Sequence, residues 1–155
     1  CTTWQQVCTA LHSCEKGCYV QVIVPGFQMG ISFAAYQGEL TGCIQMRKCE
    51  GSKAWTGDLQ PCAPRVVSAL ETFCKLYNYT GGSELEFIED IYGRWWCIDW
   101  NPRFPSWIYG GTFAGVNLPG MLLQHALCGI GKVPIDRYRS LCASGVGRFT
   151  RTVGQ

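Results

Sequence analysis

Two runs, Glu84 to Glu89 and Arg94 to Trp100, alternate apolar and polar residues on either side of Asp90-Ile91-Tyr92-Gly93. Strand side chains point to alternate faces, so this pattern predicts an antiparallel hairpin and fixes which residues meet. Leu85 and Phe87 share one face, and Glu84 and Glu86 the other. On the second run Trp96, Ile98 and Trp100 share a face, while Cys97, Asp99 and Asn101 share the opposite one. With the turn centred on Ile91-Tyr92, Glu86 is expected across from Cys97. Asp99 then falls on the adjacent diagonal, about 7–8 Å away at the backbone. Five of the eleven acidic residues lie in this hairpin.

The rest of the chain gives that hairpin a sheet and a helical cover. Tyr19 to Val24 is β-branched and apolar and ends at Pro25-Gly26. Met29 to Tyr36 and Glu39 to Arg47 follow as two further strands, which predicts an antiparallel meander with short turns. Gly51 to Pro64 is expected to be a loop. At Arg65 the period changes: Val66, Val67, Leu70, Phe73, Cys74 and Tyr77 form one helical stripe opposite Ser68, Glu71 and Lys75. Pro64 suits the first helical position, and Glu71 to Lys75 is the favourable i to i+4 order. A second helix is expected over Gly120 to Cys128, entered through Asn117-Leu118-Pro119. Residues 1 to 18 are weakly helical at best. The predicted class is α+β, an antiparallel sheet with helices packed on one side. Its core is expected around Leu85/Phe87, Trp96/Ile98/Trp100 and Val66/Leu70/Phe73.

A chain of 155 residues fits one domain, as domains run to roughly 100–200 residues. We divide it into a preceding segment (1–18), one folded unit (19–130) and an arginine-bearing tail (131–155). Hydrophobic residues make up 47% and charged residues 15%, which excludes a disordered chain. A net charge of +2 gives no electrostatic footprint for nucleic acid or an anionic membrane. Phe104 to Gly131, the longest uncharged stretch, is broken by glycines and prolines and does not have the pattern of a membrane span. Eleven cysteines leave a disulfide-stapled secreted domain as one alternative, supported by the Asn78-Tyr79-Thr80 sequon. The Cys1, Cys8, Cys14, Cys18 spacing lacks a Cys-x2-Cys pair, and neither His12 nor His125 stands where a zinc knuckle needs one.

Glu86 and Asp99, facing each other with no basic residue between, would repel at neutral pH. A hard divalent cation with oxygen ligands relieves that repulsion, and the Asn101 carbonyl two residues on extends the set. Mg2+ fits best, because it keeps several waters and shares its shell with substrate phosphates; Mn2+ would serve similarly. Arg103 continues the alternation and would place a fixed positive charge beside those phosphates. The competing reading makes Glu84 and Glu86 the solvated face of an ordinary hairpin and Arg103 a surface charge.

Glu84-Leu85-Glu86-Phe87-Ile88 followed by Cys97-Ile98-Asp99-Trp100-Asn101-Pro102-Arg103-Phe104 resembles the closing motif of the ATP-grasp superfamily. There, a strand carrying an acid or Gln leads through a short turn to acid-x-Asn-Pro-Arg-Phe. Val20 to Gly26 is similar to the strand and Pro-Gly turn that begin that family's C-terminal subdomain. Trp107 to Leu123 looks like its helix after the metal strand. The nearest look is to carbamoyl-phosphate-synthase-like and carboxylate–amine ligases, over roughly residues 19 to 128. The resemblance implies an ATP- and Mg2+-dependent ligase that forms an acylphosphate from a small-molecule carboxylate, which an amine or thiol then attacks. It also implies that Glu86, Asp99 and Asn101 bind the metal, that Glu86, Asn101 and Arg103 bind the nucleotide, and that Arg103 acts in catalysis.

Three positions depart from the family pattern: Val22 and Gln28 stand where acids are common, and Asp99 where Glu is usual. The family's N-terminal half, with its Gly-rich phosphate loop and nucleotide-binding lysines, has no counterpart in the sequence. We therefore expect a fragment whose partner is that missing half, inactive alone. A cytoplasmic location is expected, where thiols stay reduced. A non-catalytic nucleotide-binding or interaction module of the same fold is the alternative.

Overall fold

The computed structural model describes residues 3–14, 20–49, 56–129 and the backbone of 147–150. A short helix, α1 (Trp4–His12), is closed by a capping box in which Thr3 and Gln6 satisfy each other's backbone N–H. It contributes no buried residue. The sheet is built on two long strands, β1 (Gly26–Tyr36) and β2 (Glu39–Lys48). They join at Gln37-Gly38, whose φ angles of 48° and 82° suit a two-residue hairpin turn that follows the twist of its strands.

The remaining strands extend this pair in both directions. β3 (Thr56–Gln60) pairs with β2, β4 (Gly81–Asp90) with β1, and β5 (Trp95–Asn101) with β4. β6 (Gly147–Thr150) pairs with β3. Every pairing is antiparallel, and the order across the sheet is β5-β4-β1-β2-β3-β6. The expected class, α+β on an antiparallel sheet, is the class found.

Several expectations differ in detail. Residues 20–25 form no strand, and Val22 is 84% exposed. Their apolar, β-branched character needs a neighbour to pair with, but β4 ends at Asp90, opposite Gly26, so no strand among the described residues lies alongside them. The expected loop over Gly51 to Pro64 contains β3. Gly57 lets that strand lie close to β2, since a Cβ there would come within 2.5 Å of the Met46 side chain. Four residues of the expected tail form β6; the rest of the tail, and the mid-chain residues 50–55, lie outside the described residues.

The helices divide between the two faces of the sheet instead of occupying one. On one face, α2 (Pro64–Leu76) packs Val66, Leu70 and Cys74 against Ile31, Phe33, Ala35 and Cys43. Phe33 is fully buried there, with the rings of Phe73 and Tyr79 at 6.2 and 5.7 Å. On the other face lie α3 (Ile108–Phe113) and α4 (Leu118–Cys128). Trp107, Val116, Leu118 and Met121 pack there against Ala34, Ile44, Met46 and Leu59. Both faces of β1 and β2 are covered, so their residues are apolar on successive positions and the central core sits here. The hairpin tryptophans expected in the core are half exposed: Trp96 at 45% and Trp100 at 49%.

Candidate metal–phosphate site

The hairpin forms as expected, but its register is shifted. Glu86 lies directly opposite Asp99, and Glu84 opposite Asn101; Phe87, not Glu86, is the partner of Cys97. A bulge between Glu86 and Phe87 leaves Ile98 as the extra residue on β5. Past a bulge the alternation changes phase. Trp96 therefore shares the face of Glu86, Asp99 and Asn101, while Trp100 turns to the α2 side and meets Phe73 edge-on at 5.8 Å. The bulge brings the two acids closer than the expected diagonal, since directly opposed residues have Cβ atoms about 4.5–5.5 Å apart.

Around this pair runs a connected polar network. Asn101 Nδ2 donates to Asp99 Oδ2 at 3.0 Å and to Glu84 Oε2 at 3.5 Å. Arg103 Nη2 donates to Asn101 Oδ1 at 3.3 Å, and its Nη1 to the Phe104 carbonyl at 3.2 Å. These bonds aim an otherwise exposed guanidinium. On the far side, Gln28 Nε2 donates to Glu86 Oε2 at 2.7 Å, and Lys48 Nζ donates to Gln28 Oε1 at 3.0 Å. The site thus lies between two cations, Arg103 and Lys48.

Glu84, which the competing reading placed on a solvated face, is buried by the fold to 5% exposure. Trp107, at the N-cap of α3, donates its indole N–H to Glu84 Oε1 at 2.8 Å. Arg103 Nη1 lies 3.9 Å from Glu84 Oε2. Burial pushes this carboxyl above the ordinary glutamate range; the Trp107 bond opposes it, and the neighbouring Glu86 charge raises it again. Glu84 therefore acts as the inner support of Asn101. The shared face of Glu84 and Glu86 was visible in the alternation, whereas Trp107, Gln28 and Lys48 reach the site only through sheet order and helix placement.

The donors suit a magnesium ion held jointly with phosphates better than a cage made by protein alone. Glu86, Asp99 and the Asn101 amide offer hard oxygens on one face. Among the described residues no group of three or more His, Cys, Asp or Glu is gathered to hold a metal. Mg2+ commonly takes one or two carboxylates and fills its shell with waters and substrate phosphates. Further along the same face, a cavity of about 590 Å3 opens between residues 21–25 and the hairpin end, lined by Ile91, Tyr92, Trp96 and Ile98.

No family model and no curated protein matches the sequence. Solved structures do match in shape. The biotin carboxylase domain of a thermophilic 2-oxoglutarate carboxylase, bound to bicarbonate, aligns with a TM-score of 0.55 and 14% identity over 76% of this chain. The same kind of domain from Hydrogenobacter thermophilus, in complex with MgADP, aligns with a TM-score of 0.50 and 16% identity over 65%. An L-amino acid ligase from Bacillus licheniformis aligns over 68% with a TM-score of 0.47 and 16% identity. The chain spans 24–30% of the length of these structures. What this likeness establishes is architecture: the chain has the fold of these biotin carboxylase domains, the ATP-grasp fold.

Proposed function

We propose that this chain forms the metal- and phosphate-binding wall of an ATP- and Mg2+-dependent ligase that joins a small-molecule carboxylate to an amine or thiol through an acylphosphate. The observation that carries the reading is the direct opposition of Glu86 and Asp99 on one face, with Asn101 and Arg103 next along it. In such a site a bound Mg2+ would neutralise phosphate charge and stabilise the transferring phosphoryl group.

The chain's own residues supply the positioning. Glu86 and Asp99 are held side by side by the β4–β5 ladder, and Gln28 fixes the Glu86 carboxylate. Asn101 is steadied from behind by Glu84, so its amide presents to the open side. The Arg103 guanidinium offers a fork to a phosphate or to the acylphosphate, and charge fixed in advance is what phosphoryl transfer requires of a protein. The apolar cavity beside Trp96 is of a size to take a nucleoside base. Completion by an N-terminal half of the same chain, expected from the resemblance, accords with the fraction of its structural neighbours that the chain spans. Cys8, Cys43, Cys49, Cys74, Cys97 and Cys128 are thiols, which supports a reducing, cytoplasmic location over a disulfide-stapled secreted domain.

Calorimetric titration with Mg2+–ATP, repeated on Asp99→Ala, tests the site. Loss of a metal-binding carboxylate is expected to weaken Mg2+–ATP binding at least tenfold and to abolish acid- and amine-dependent phosphate release. Unchanged affinity and rate in Asp99→Ala would remove the site assignment. The neutral Gln28 bound to Glu86 supports a second reading, nucleotide binding without turnover. Binding with no phosphate release across a broad set of acids and amines would select it.

A further inference from the structure

On the face of the sheet opposite the carboxylates, a groove of about 610 Å3 runs between α2 and the β4–β5 hairpin. Its floor is Ile31, Leu85 and Phe87, and its walls are Val66, Ala69, Leu70 and Phe73 on one side and Trp95 on the other. From Arg65 to Phe73 the α2 wall is about 12 Å long, from a rise of about 1.5 Å per residue. Among the described residues, the two charged ones that line it are both cationic, Arg65 and Arg94, and no acid lines it. Arg94 is paired with Asp90 at 2.8 Å. Arg65 instead lies over the Trp95 ring, 4.9 Å from its centroid, at the mouth of the groove. Glu89, on the same strand face, accepts the Trp95 indole N–H at 3.0 Å and so holds the ring that Arg65 covers.

We propose that this groove binds an aliphatic carboxylate, with the chain along α2 and the carboxylate on the Arg65 guanidinium. An elongated apolar channel with one available cation at its end complements an amphipathic anion in both shape and charge. A volume in the range of small-molecule sites, with mainly apolar lining and a single polar anchor, is the usual form of such a pocket. An extended acyl chain of roughly ten carbons matches the length of the α2 wall. Because the groove lies across the sheet from Glu86 and Asp99, this site stands or falls independently of the nucleotide reading.

Decanoate, decan-1-ol and decylammonium, each below its micellar concentration, are the probes, and calorimetry on the protein is the readout. Saturable decanoate binding is expected, tighter than that of the alcohol, with decylammonium weakest. Arg65→Ala should weaken decanoate roughly three- to fivefold, the scale of a partly exposed ion pair. Arg65→Glu, an exposed position, should reverse the preference in favour of decylammonium. Ala69→Trp, also exposed, should fill the groove and abolish binding of all three. No saturable decanoate binding, binding that survives Ala69→Trp in folded protein, or no reversal in Arg65→Glu would each overturn the proposal. So would self-association that Ala69→Trp disrupts, because the groove would then be covered by a second copy of the chain.

Discussion

Asp90 closes the β4–β5 hairpin with hydrogen bonds from three residues. Its Oδ1 accepts the backbone N–H groups of Tyr92 and Arg94 at 2.9 and 3.0 Å; its Oδ2 accepts Arg94 Nε at 2.8 Å and the Trp96 indole at 3.0 Å. Burial pushes the carboxyl up, but these bonds to the charged form outweigh it and hold the group well below the usual aspartate range. A depressed pKa in the folded state means that the unfolded chain binds more protons as the pH falls. The stabilisation is complete above the ordinary aspartate value of 3.8 and is withdrawn as the pH drops through the carboxyl's own lower value. Asp90→Asn should therefore melt below wild type at neutral pH by a margin that stays constant down to about pH 5 and narrows steadily below about pH 4. Thermal melts across that range measure it, and a margin that does not change in acid would mean that the charge contributes nothing.

At the scale of elements, the chain just beyond β5 is fastened by a ring against a glycine. A Cβ on Gly82 would lie 2.3–2.5 Å from three atoms of the Phe104 ring, so the absence of a side chain on β4 is what lets Phe104 settle there just after Arg103. Gly82→Ala is expected to cost about 1–3 kcal/mol, because the rigid ring must move as a whole. It should also loosen Arg103, whose Nη1 bonds the Phe104 carbonyl. A melting temperature equal to wild type would show that Phe104 has room to turn. The hairpin, its acids and α2 were readable in the sequence because period-2 and period-3.6 patterns are local. The bulge at Ile98 was not, since one unpaired residue leaves composition and turn length unchanged while it reverses every face beyond it. Nor was the division of helices between two faces, which depends on β1 and β2 being covered on both sides. The burial of Glu84 was not legible either, because its partner Trp107 lies 23 residues away on another element.

At the scale of the whole molecule, the α2 packing and the carboxylate site lie on opposite faces of the sheet, and the site shares its face with the core around Trp107 and Met121. The α2 face carries aliphatic and aromatic packing, with Leu70 buried against Ile31 and Phe33. The other face carries Glu84, Glu86, Asp99 and Asn101 in front of Trp107. Two substitutions should therefore lower stability by similar amounts with different consequences for ligand binding. Leu70→Ala leaves a cavity and is expected to cost about 2–5 kcal/mol. Trp107→Phe replaces the buried indole by a smaller phenyl and removes the N–H bound to a buried carboxylate, a loss of about 1.5–3 kcal/mol before the missing volume is counted. Only Trp107→Phe frees Glu84, and with it the Asn101 amide that Glu84 steadies. Mg2+–ATP titrations at a temperature where both variants are folded should give wild-type affinity for Leu70→Ala and weaker binding for Trp107→Phe. If Leu70→Ala shifts affinity as much as Trp107→Phe does, the sheet is transmitting strain between its faces, and the independence of the two would be lost.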